Sequence, residues 1–230
     1  MLKKIRKEMI SLQDLEYKKF YSKLCPGTHN IIGVRVPEIR KLAKRILTEA
    51  QELKYIENQE KEYYEEIMLE GLLIALAKIP ITEKLKYLDT FISKIDNWSI
   101  CDICAASFKF SIEDQDVIWK YLLKYHKSDS EFELRFMIVM WLNHYLKTNY
   151  HSDILHKIDQ ITADEYYVKM AIAWLLAMDY FINKEQTLEY LKHNHLSNWT
   201  YNKSIQKIIE STRLTEDEKK KLKEMKRNKK

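Results

Sequence analysis

Residues 134–142 read LRFMIVMWL, and residues 168–176, thirty-four positions further along the chain, read VKMAIAWLL. In this register Arg135 aligns with Lys169, and apolar residues align on both sides of them. Apolar spacing of this kind is shared by any two amphipathic helices. A repeat of this length is nevertheless typical of stacked helical pairs. The match therefore favours an all-α protein, built as a solenoid of helical pairs with a concave face.

The composition supports the helical prediction. The chain of 230 residues has only three Gly and three Pro, against 46% hydrophobic and 32% charged residues. An all-β fold needs more turn residues than this. The sequence has no apolar run long enough to span a membrane, and its N-terminus lacks the apolar segment of a signal peptide. We expect a cytoplasmic monomer that does not bind membranes.

Charge is distributed unevenly along the chain. Residues 1–45 hold 12 Lys or Arg and 4 Asp or Glu, residues 46–214 hold 19 and 26, and residues 215–230 hold 8 and 4. Basic ends can present a surface that binds a polyanion, although a Lys-rich end is also typical of a frayed, solvated terminus. We predict one helical repeat domain over residues 1–214, followed by a basic helix or tail over residues 215–230.

The three cysteines do not form a disulfide framework. Cys25 is far from the other two, and Cys101 and Cys104 form a lone C-x-x-C motif with no second pair at zinc spacing. Redox or metal chemistry is the alternative, but packing of small residues inside a helix suits a free cysteine better. We expect neither a metal nor a cofactor.

Prolines and capping residues mark the helix boundaries. Pro37 predicts a helix start, and this helix is expected to continue to about Ile56. Its first turns carry Arg40, Lys41 and Lys44, which make this end strongly positive. The capping-box pattern, in which a cap residue and a carboxylate three positions later bind free N–H groups, occurs at Ser111/Asp114, Thr162/Glu165 and Thr215/Glu218.

The segment from Asn97 to Asp102 reads NWSICD and carries the first candidate site. In a helix, Trp98 and Asp102 lie one turn apart on one face, where an indole and a carboxylate together favour a cation. The alternative is a plain helix start, with Asn97 as N-cap, Trp98 in the core and Asp102 in solvent.

Two later residues join this site if successive inner helices line the concave face. Arg135 is either a surface side chain or an inward one that needs an acidic partner, for which Asp102 is the candidate. Trp174 lies in an apolar run and could equally pack in the core. The hypothesis predicts that both residues face the same groove as Trp98 and Asp102, with functional ends within about 12 Å of one another.

Taken together, these residues resemble a known family. The residues concerned are those of segment 33–44, the Trp98-x-x-x-Asp102 pair, Arg135 and Lys169-x-Ala171-Ile172-x-Trp174. Their joint spacing is similar to that of the AlkD-like DNA alkylation repair proteins, over about residues 2–211. The resemblance implies a HEAT-like helical solenoid. It also implies a DNA glycosylase that removes N3- or N7-alkylated purines from double-stranded DNA without base flipping.

The resemblance further implies a role for each site residue. Asp102 supports the cationic sugar, and Trp98 and Trp174 contact the deoxyribose. Arg135 helps to hold the DNA backbone. Further DNA-binding residues are expected at Arg40, Lys41, Lys44, Lys169 and Lys203.

The chain departs from the family pattern at two places. It has Ala177 where these proteins commonly carry Arg after the second tryptophan, and it has Tyr201-Asn202-Lys203-Ser204 where they commonly carry Arg-Arg-Glu-Ala. Phosphate contacts supply much of the affinity for DNA, so weaker binding is expected. The alternative function is a non-catalytic HEAT-like solenoid that binds a DNA structure or a protein through its concave face.

Overall fold

The computed structural model describes residues 1–228, which form fourteen α-helices and no strand. The all-α prediction is therefore confirmed for the described chain. The fold divides into two compact units, Met1–Tyr121 and Leu122–Lys230. A single repeat domain over residues 1–214, and a concave face, stay predictions. Of the predicted basic tail, Lys229 and Lys230 lie outside the described residues.

The helices follow one another with short connections. No described helix is both long enough and apolar enough to cross a lipid bilayer. In chain order the helices are α1 (Leu2–Ser11), α2 (Leu15–Leu24), α3 (Val36–Thr48), α4 (Glu52–Ile56), α5 (Tyr64–Leu76), α6 (Ile81–Ile92), α7 (Trp98–Ser107), α8 (Gln115–Leu123), α9 (Glu131–His144), α10 (His151–Ile158), α11 (Tyr166–Tyr180), α12 (Lys184–Lys192), α13 (Asn198–Ile209) and α14 (Glu216–Glu224).

Helix α5 is the centre of the first unit, where it packs against α3, α4, α6 and α7. Its middle turns are buried on every side, as a helix that is apolar all round requires. Gly71 permits the closest approach, because a Cβ there would lie 2.2 Å from the Cys104 Sγ atom and 2.3 Å from the Phe91 Cζ atom. Burial raises the pKa of the Cys104 thiol. The buried, protonated thiol fits small-residue packing rather than redox chemistry.

A buried carboxylate fixes the loop that precedes α3. Glu65 of α5 is fully buried and accepts the backbone N–H groups of Ile32, Gly33 and Val34 at 2.9, 2.6 and 3.1 Å. Gly33 has a φ of +104°, and a Cβ there would lie 2.8 Å from the Asp14 carbonyl oxygen. The loop therefore requires glycine, and α5 determines where the basic start of α3 lies.

The second unit is built around α11, which packs against α9, α12 and α13. A buried carboxylate connects three of its helices: Asp179 lies 2.9 Å from the His151 Nε2 atom and 2.7 Å from the Thr187 hydroxyl. It also accepts the Asn183 side-chain amide at 2.8 Å. These bonds tie α10 and α12 to α11, because a buried charge must be matched by donors.

Several boundaries differ from the sequence prediction. The helix expected to continue to Ile56 ends at Thr48, because Ala50 adopts a φ of +49° that breaks the helix before α4. Of the three capping boxes, the one at Thr215 is confirmed. Thr162 caps no helix, since α11 begins at Tyr166.

The Ser111 capping box is also wrong. Its hydroxyl donates to the Asp114 side chain at 3.0 Å instead of accepting a backbone N–H, and α8 begins only at Gln115. Two polar side chains that bind each other are not available to the backbone, which is why the pattern fails here.

Candidate functional site

Helix α7 begins where the sequence predicts. The buried Asn97 side chain accepts the backbone N–H groups of Ser99 at 3.1 Å and Ile100 at 3.0 Å, so it is the N-cap. One face of α7 is buried against the first unit, and Trp98 and Asp102 lie on another face, both partly exposed. Of the plain-helix alternative, the Asn97 cap is confirmed, but Trp98 is not in the core and Asp102 is only partly exposed.

The Trp98 ring is held in place by the preceding part of the chain. Its indole Nε1–H donates to the Leu24 carbonyl oxygen at 3.1 Å. Leu24 is the last residue of α2, where carbonyl groups lack a partner within the helix. The hydrogen bond therefore satisfies a helix end and fixes the orientation of the indole.

A buried polar chain supports the first turn of α7. The Tyr64 hydroxyl donates to the Ser99 hydroxyl at 3.0 Å, and the Tyr21 and Tyr64 hydroxyls are hydrogen-bonded to each other. Burial raises the pKa of both tyrosines, so they remain neutral donors. Burial also raises the pKa of the nearby Cys25 thiol, and the negative charges of Asp96 and Asp102 raise it further.

Positive charge lies at the other end of α7. Arg40 of α3 is exposed and donates to the Ser107 hydroxyl at 3.0 Å, in the last turn of α7. Lys44 is exposed one turn further along α3, and Lys41 pairs with Glu38 at 2.8 Å. In the first unit, α7, which carries Trp98 and Asp102, therefore lies next to the basic start of α3.

The second unit carries the other two predicted site residues. Trp174 of α11 is partly exposed, whereas Ala173 and Leu175 on either side of it are buried, so the core alternative is wrong. Arg135 of α9 is only 5% exposed. Its guanidinium donates to the Tyr167 carbonyl oxygen at 2.7 Å and lies 5.8 Å from the centre of that ring. Arg135 is therefore buried, and the surface alternative is wrong; that it faces a groove with an acidic partner stays a prediction.

The two lysines of the second unit that are predicted to bind DNA differ in their contacts. Lys169 pairs with the exposed Asp164 at 2.7 Å, and its Nζ atom lies 5.1 Å from the centre of the Trp199 ring. Lys203 lies on α13, partly exposed. That these residues, Arg135 and Trp174 share one groove with Asp102 stays a prediction.

The sequence pattern did not reveal an aromatic cluster in the second unit. Phe132 lies 5.6 Å from Tyr167, Tyr167 lies 5.3 Å from Tyr166, and Tyr166 lies 5.8 Å from Trp199, measured between ring centres. These rings sit at the starts of α9, α11 and α13. The 34-residue repeat could have revealed this cluster, because Phe132, Tyr166 and Trp199 are about 34 residues apart in sequence.

A surface cleft of about 600 Å³ in the second unit is lined by none of these aromatic residues. It is lined by loop residues that include His126, Lys127, Asp129, Gln160 and Thr162. None of the predicted site residues lines this cleft. Within residues 1–228, no three His, Cys, Asp or Glu side chains are grouped as metal ligands would be.

A family model described as DNA alkylation repair enzyme matches residues 5–208. The chain belongs to this family. The matched region contains α7, α9 and α11, the helices that carry Asp102, Arg135 and Trp174. Membership gives the protein a role in DNA alkylation repair, with DNA as the substrate. No curated protein matches the chain.

Proposed function

We propose that this repair protein is an alkylpurine DNA glycosylase, which hydrolyses the bond between deoxyribose and an N3- or N7-alkylated purine in double-stranded DNA without flipping the base. One observation carries the proposal: Trp98 and Asp102 are both partly exposed on one face of α7 in a chain of this repair family. An indole beside a carboxylate is an environment that stabilises a cation.

The reaction needs few protein groups. An N3- or N7-alkylated purine already carries a positive charge, so it leaves without being protonated. The C1′–N9 bond breaks, both electrons move to N9 and neutralise the base, and the positive charge passes to the sugar as an oxocarbenium ion. Water then adds to C1′ and releases a proton, for which the Asp102 carboxylate is the acceptor. In this proposal catalysis is mainly electrostatic stabilisation of the sugar cation.

The expected size of the effect follows from Coulomb's law. A carboxylate about 4 Å from the sugar cation, at an effective dielectric constant of about 20, contributes on the order of 4 kcal/mol. This corresponds to roughly a thousandfold in rate. The indole faces of Trp98 and Trp174 add less, since a cation–π contact contributes about 0.5 to 2 kcal/mol.

The charged residues have separate roles in this proposal. Arg40 and Lys44 are exposed and supply phosphate contacts, and Lys41 adds to the positive potential around them. Arg135 is buried, so it acts on the DNA backbone through its positive charge and through the position it gives to the start of α11. Lys169 and Lys203 extend the phosphate contacts in the second unit.

Asp102→Asn tests the proposal because it keeps the shape of the side chain and removes its charge. Single-turnover release of 7-methylguanine from methylated duplex DNA, at saturating protein, should fall by roughly one to three orders of magnitude. Binding of undamaged DNA should change little. Asp153→Asn is the matched control, since Asp153 is an exposed carboxylate on α10, outside the proposed site. It should leave the rate of release unchanged.

Two results would contradict the proposal. If the wild-type protein and Asp102→Asn release the base equally fast, the carboxylate has no catalytic role. If the wild-type protein binds DNA but releases no base, the non-catalytic alternative is correct, and the protein acts by binding a DNA structure.

A further inference from the structure

Helix α13 presents a polar and aromatic stripe to solvent. Its other face is buried against the second unit. The residues of the stripe recur at helical spacing and are partly or fully exposed. We call them the α13 stripe, and they are Trp199, Asn202, Lys203, Gln206 and Lys207.

An exposed aromatic pair lies at the N-terminal end of the stripe. Trp199 is 40% exposed and Tyr166 is 55% exposed, and within residues 122–228 these are the large hydrophobic side chains that remain exposed. Their ring centres are 5.8 Å apart with an angle of 65° between the planes. The Lys169 Nζ atom lies 5.1 Å from the centre of the Trp199 ring, so a cation stands beside this exposed aromatic pair.

The C-terminal segment adds positive charge to the stripe. Two hydrogen bonds of 2.8 Å join Arg227 to Asn202. The Asn202 side-chain amide donates to the Arg227 carbonyl oxygen, and the Arg227 backbone N–H donates to the Asn202 side-chain oxygen. The Arg227 guanidinium lies 4.0 Å from the centre of the Tyr201 ring and donates to the Leu196 carbonyl oxygen at 2.7 Å. Arg227 is therefore held on α13, and the described end of the chain is not frayed.

The neighbouring Lys226 donates to the Gln206 side-chain oxygen at 2.6 Å. Lys226 and Arg227 donate to uncharged groups. Lys207 and, more weakly, the charge of Lys203 lower the pKa of Glu210. None of Lys203, Lys226 and Arg227 pairs with a described carboxylate within 4.0 Å. Their charges therefore remain available to an anion beside the stripe.

The acidic residues around the stripe are largely matched. Asp164 pairs with Lys169, and Glu210 pairs with Lys207 at 3.0 Å. Glu165 is exposed at the start of α11. With the three unmatched cations, the surface is positive overall and favours a polyanion over an acidic peptide.

We infer that the α13 stripe binds an unpaired nucleotide of a DNA strand, with the base stacked on Trp199 and in edge contact with Tyr166, and with the neighbouring phosphates held by Lys203 and Arg227. Alternating aromatic and cationic groups are how proteins bind unpaired strands. Trp199 and Lys203 are one helical turn, about 6 Å, apart along α13, so one nucleotide can contact both. The inference rests on the proposed function only in that the ligand is DNA.

The test compares a duplex containing one unpaired bulged nucleotide with the same duplex without it. The wild-type protein should bind the bulged duplex more tightly. Trp199→Ala should weaken that binding by about five- to a hundredfold and leave binding to the paired duplex unchanged. Trp199→Phe keeps a stacking ring, so it should retain most of the preference. Urea unfolding should verify that each variant is folded.

A charge variant tests the phosphate contact separately. Lys203→Gln should weaken binding of the bulged duplex and reduce the slope of log affinity against log salt by about 0.7 to 0.9. Lys192→Gln removes the same charge from α12 and should leave the slope unchanged.

Equal binding of the two duplexes by the wild-type protein, or a preference that survives Trp199→Ala, would overturn the inference. Release of methylated base is measured on the same preparations. If the bulge preference is present and no base is released, the glycosylase proposal fails and the α13 stripe stands. If base is released without a bulge preference, the glycosylase proposal stands and the inference about the α13 stripe fails.

Discussion

The Trp98 indole is positioned by a hydrogen bond that a phenylalanine ring cannot make. Trp98→Phe removes the donor to the Leu24 carbonyl oxygen. We expect the free energy of unfolding in urea to fall by about 1 kcal/mol, since one hydrogen bond is lost. Single-turnover base release should fall by less than in Asp102→Asn, because an aromatic face remains. An unchanged rate would show that the orientation of the indole is not important for the reaction.

Residue types and spacing predicted part of this site. Asn97 is the cap, and Trp98 and Asp102 share one face, because these features depend only on helix geometry within six residues. The partner of the indole, the Leu24 carbonyl, could not be predicted, since it is a backbone atom that only tertiary packing brings near. The contact between Arg227 and Asn202 was missed for the same reason. The two residues are far apart in sequence, and neither has a pattern that predicts the other.

At the scale of elements, the loop that precedes α3 is held by the Glu65 carboxylate of α5. Glu65→Gln replaces an acceptor of three backbone N–H groups with an amide that has one oxygen and no charge. Because bonds to charged groups are stronger, we expect a loss of about 2 to 3 kcal/mol in the free energy of unfolding, measured in urea.

Glu38→Gln is the control for this prediction. Glu38 forms a surface ion pair with Lys41 on α3, and such a pair contributes less than about 1 kcal/mol. Equal effects of the two substitutions would mean that the Glu65 carboxylate does not hold the loop that precedes α3.

Lys84 connects α6 to the end of α5 and gives the fold a pH dependence. Its buried ammonium group donates to the Lys109 carbonyl oxygen at 2.9 Å. Burial lowers the pKa of Lys84 to about 8, with Asp114 acting in the opposite direction. The unfolded chain therefore binds this proton more tightly than the folded chain. The resulting destabilisation is complete below about pH 8 and disappears as the pH approaches 10.5.

Lys84→Met removes this titration. Between pH 8 and 10.5 the unfolding free energy of the wild-type protein should rise relative to that of the variant, by on the order of 3 kcal/mol. Urea unfolding of both proteins across this range measures the difference and cancels the contributions of other titrating groups. A difference that is constant with pH, or that falls as the pH rises, would contradict the assigned pKa.

At the scale of the whole molecule, composition and the helical spacing of apolar residues predicted an all-α chain, and the described residues form fourteen helices and no strand. The division after Tyr121 was not predicted. Sequence periodicity indicates which residues of a helix are buried. It does not indicate where few contacts join one part of the chain to the next, which is what separates two compact units.

The last prediction concerns DNA binding by the whole protein and the contribution of the basic start of α3. The chain carries an excess of acidic residues between positions 46 and 214. Affinity for DNA must therefore come from local clusters of positive charge rather than from net charge. Arg40 and Lys44 are exposed on α3, and the double substitution to Gln removes two phosphate contacts. The slope of log affinity against log salt should become shallower by about 1.8.

The control removes the same charge elsewhere, with Lys78→Gln and Lys120→Gln, both exposed. It should leave the slope unchanged, because salt dependence counts the phosphates that are contacted and not the total charge. Base release at saturating protein should be the same in both double variants, since binding is then complete and only the chemical step is measured. If the control changes the slope as much as the α3 variant does, DNA binds through the general field of the protein, and α3 is not part of the interface.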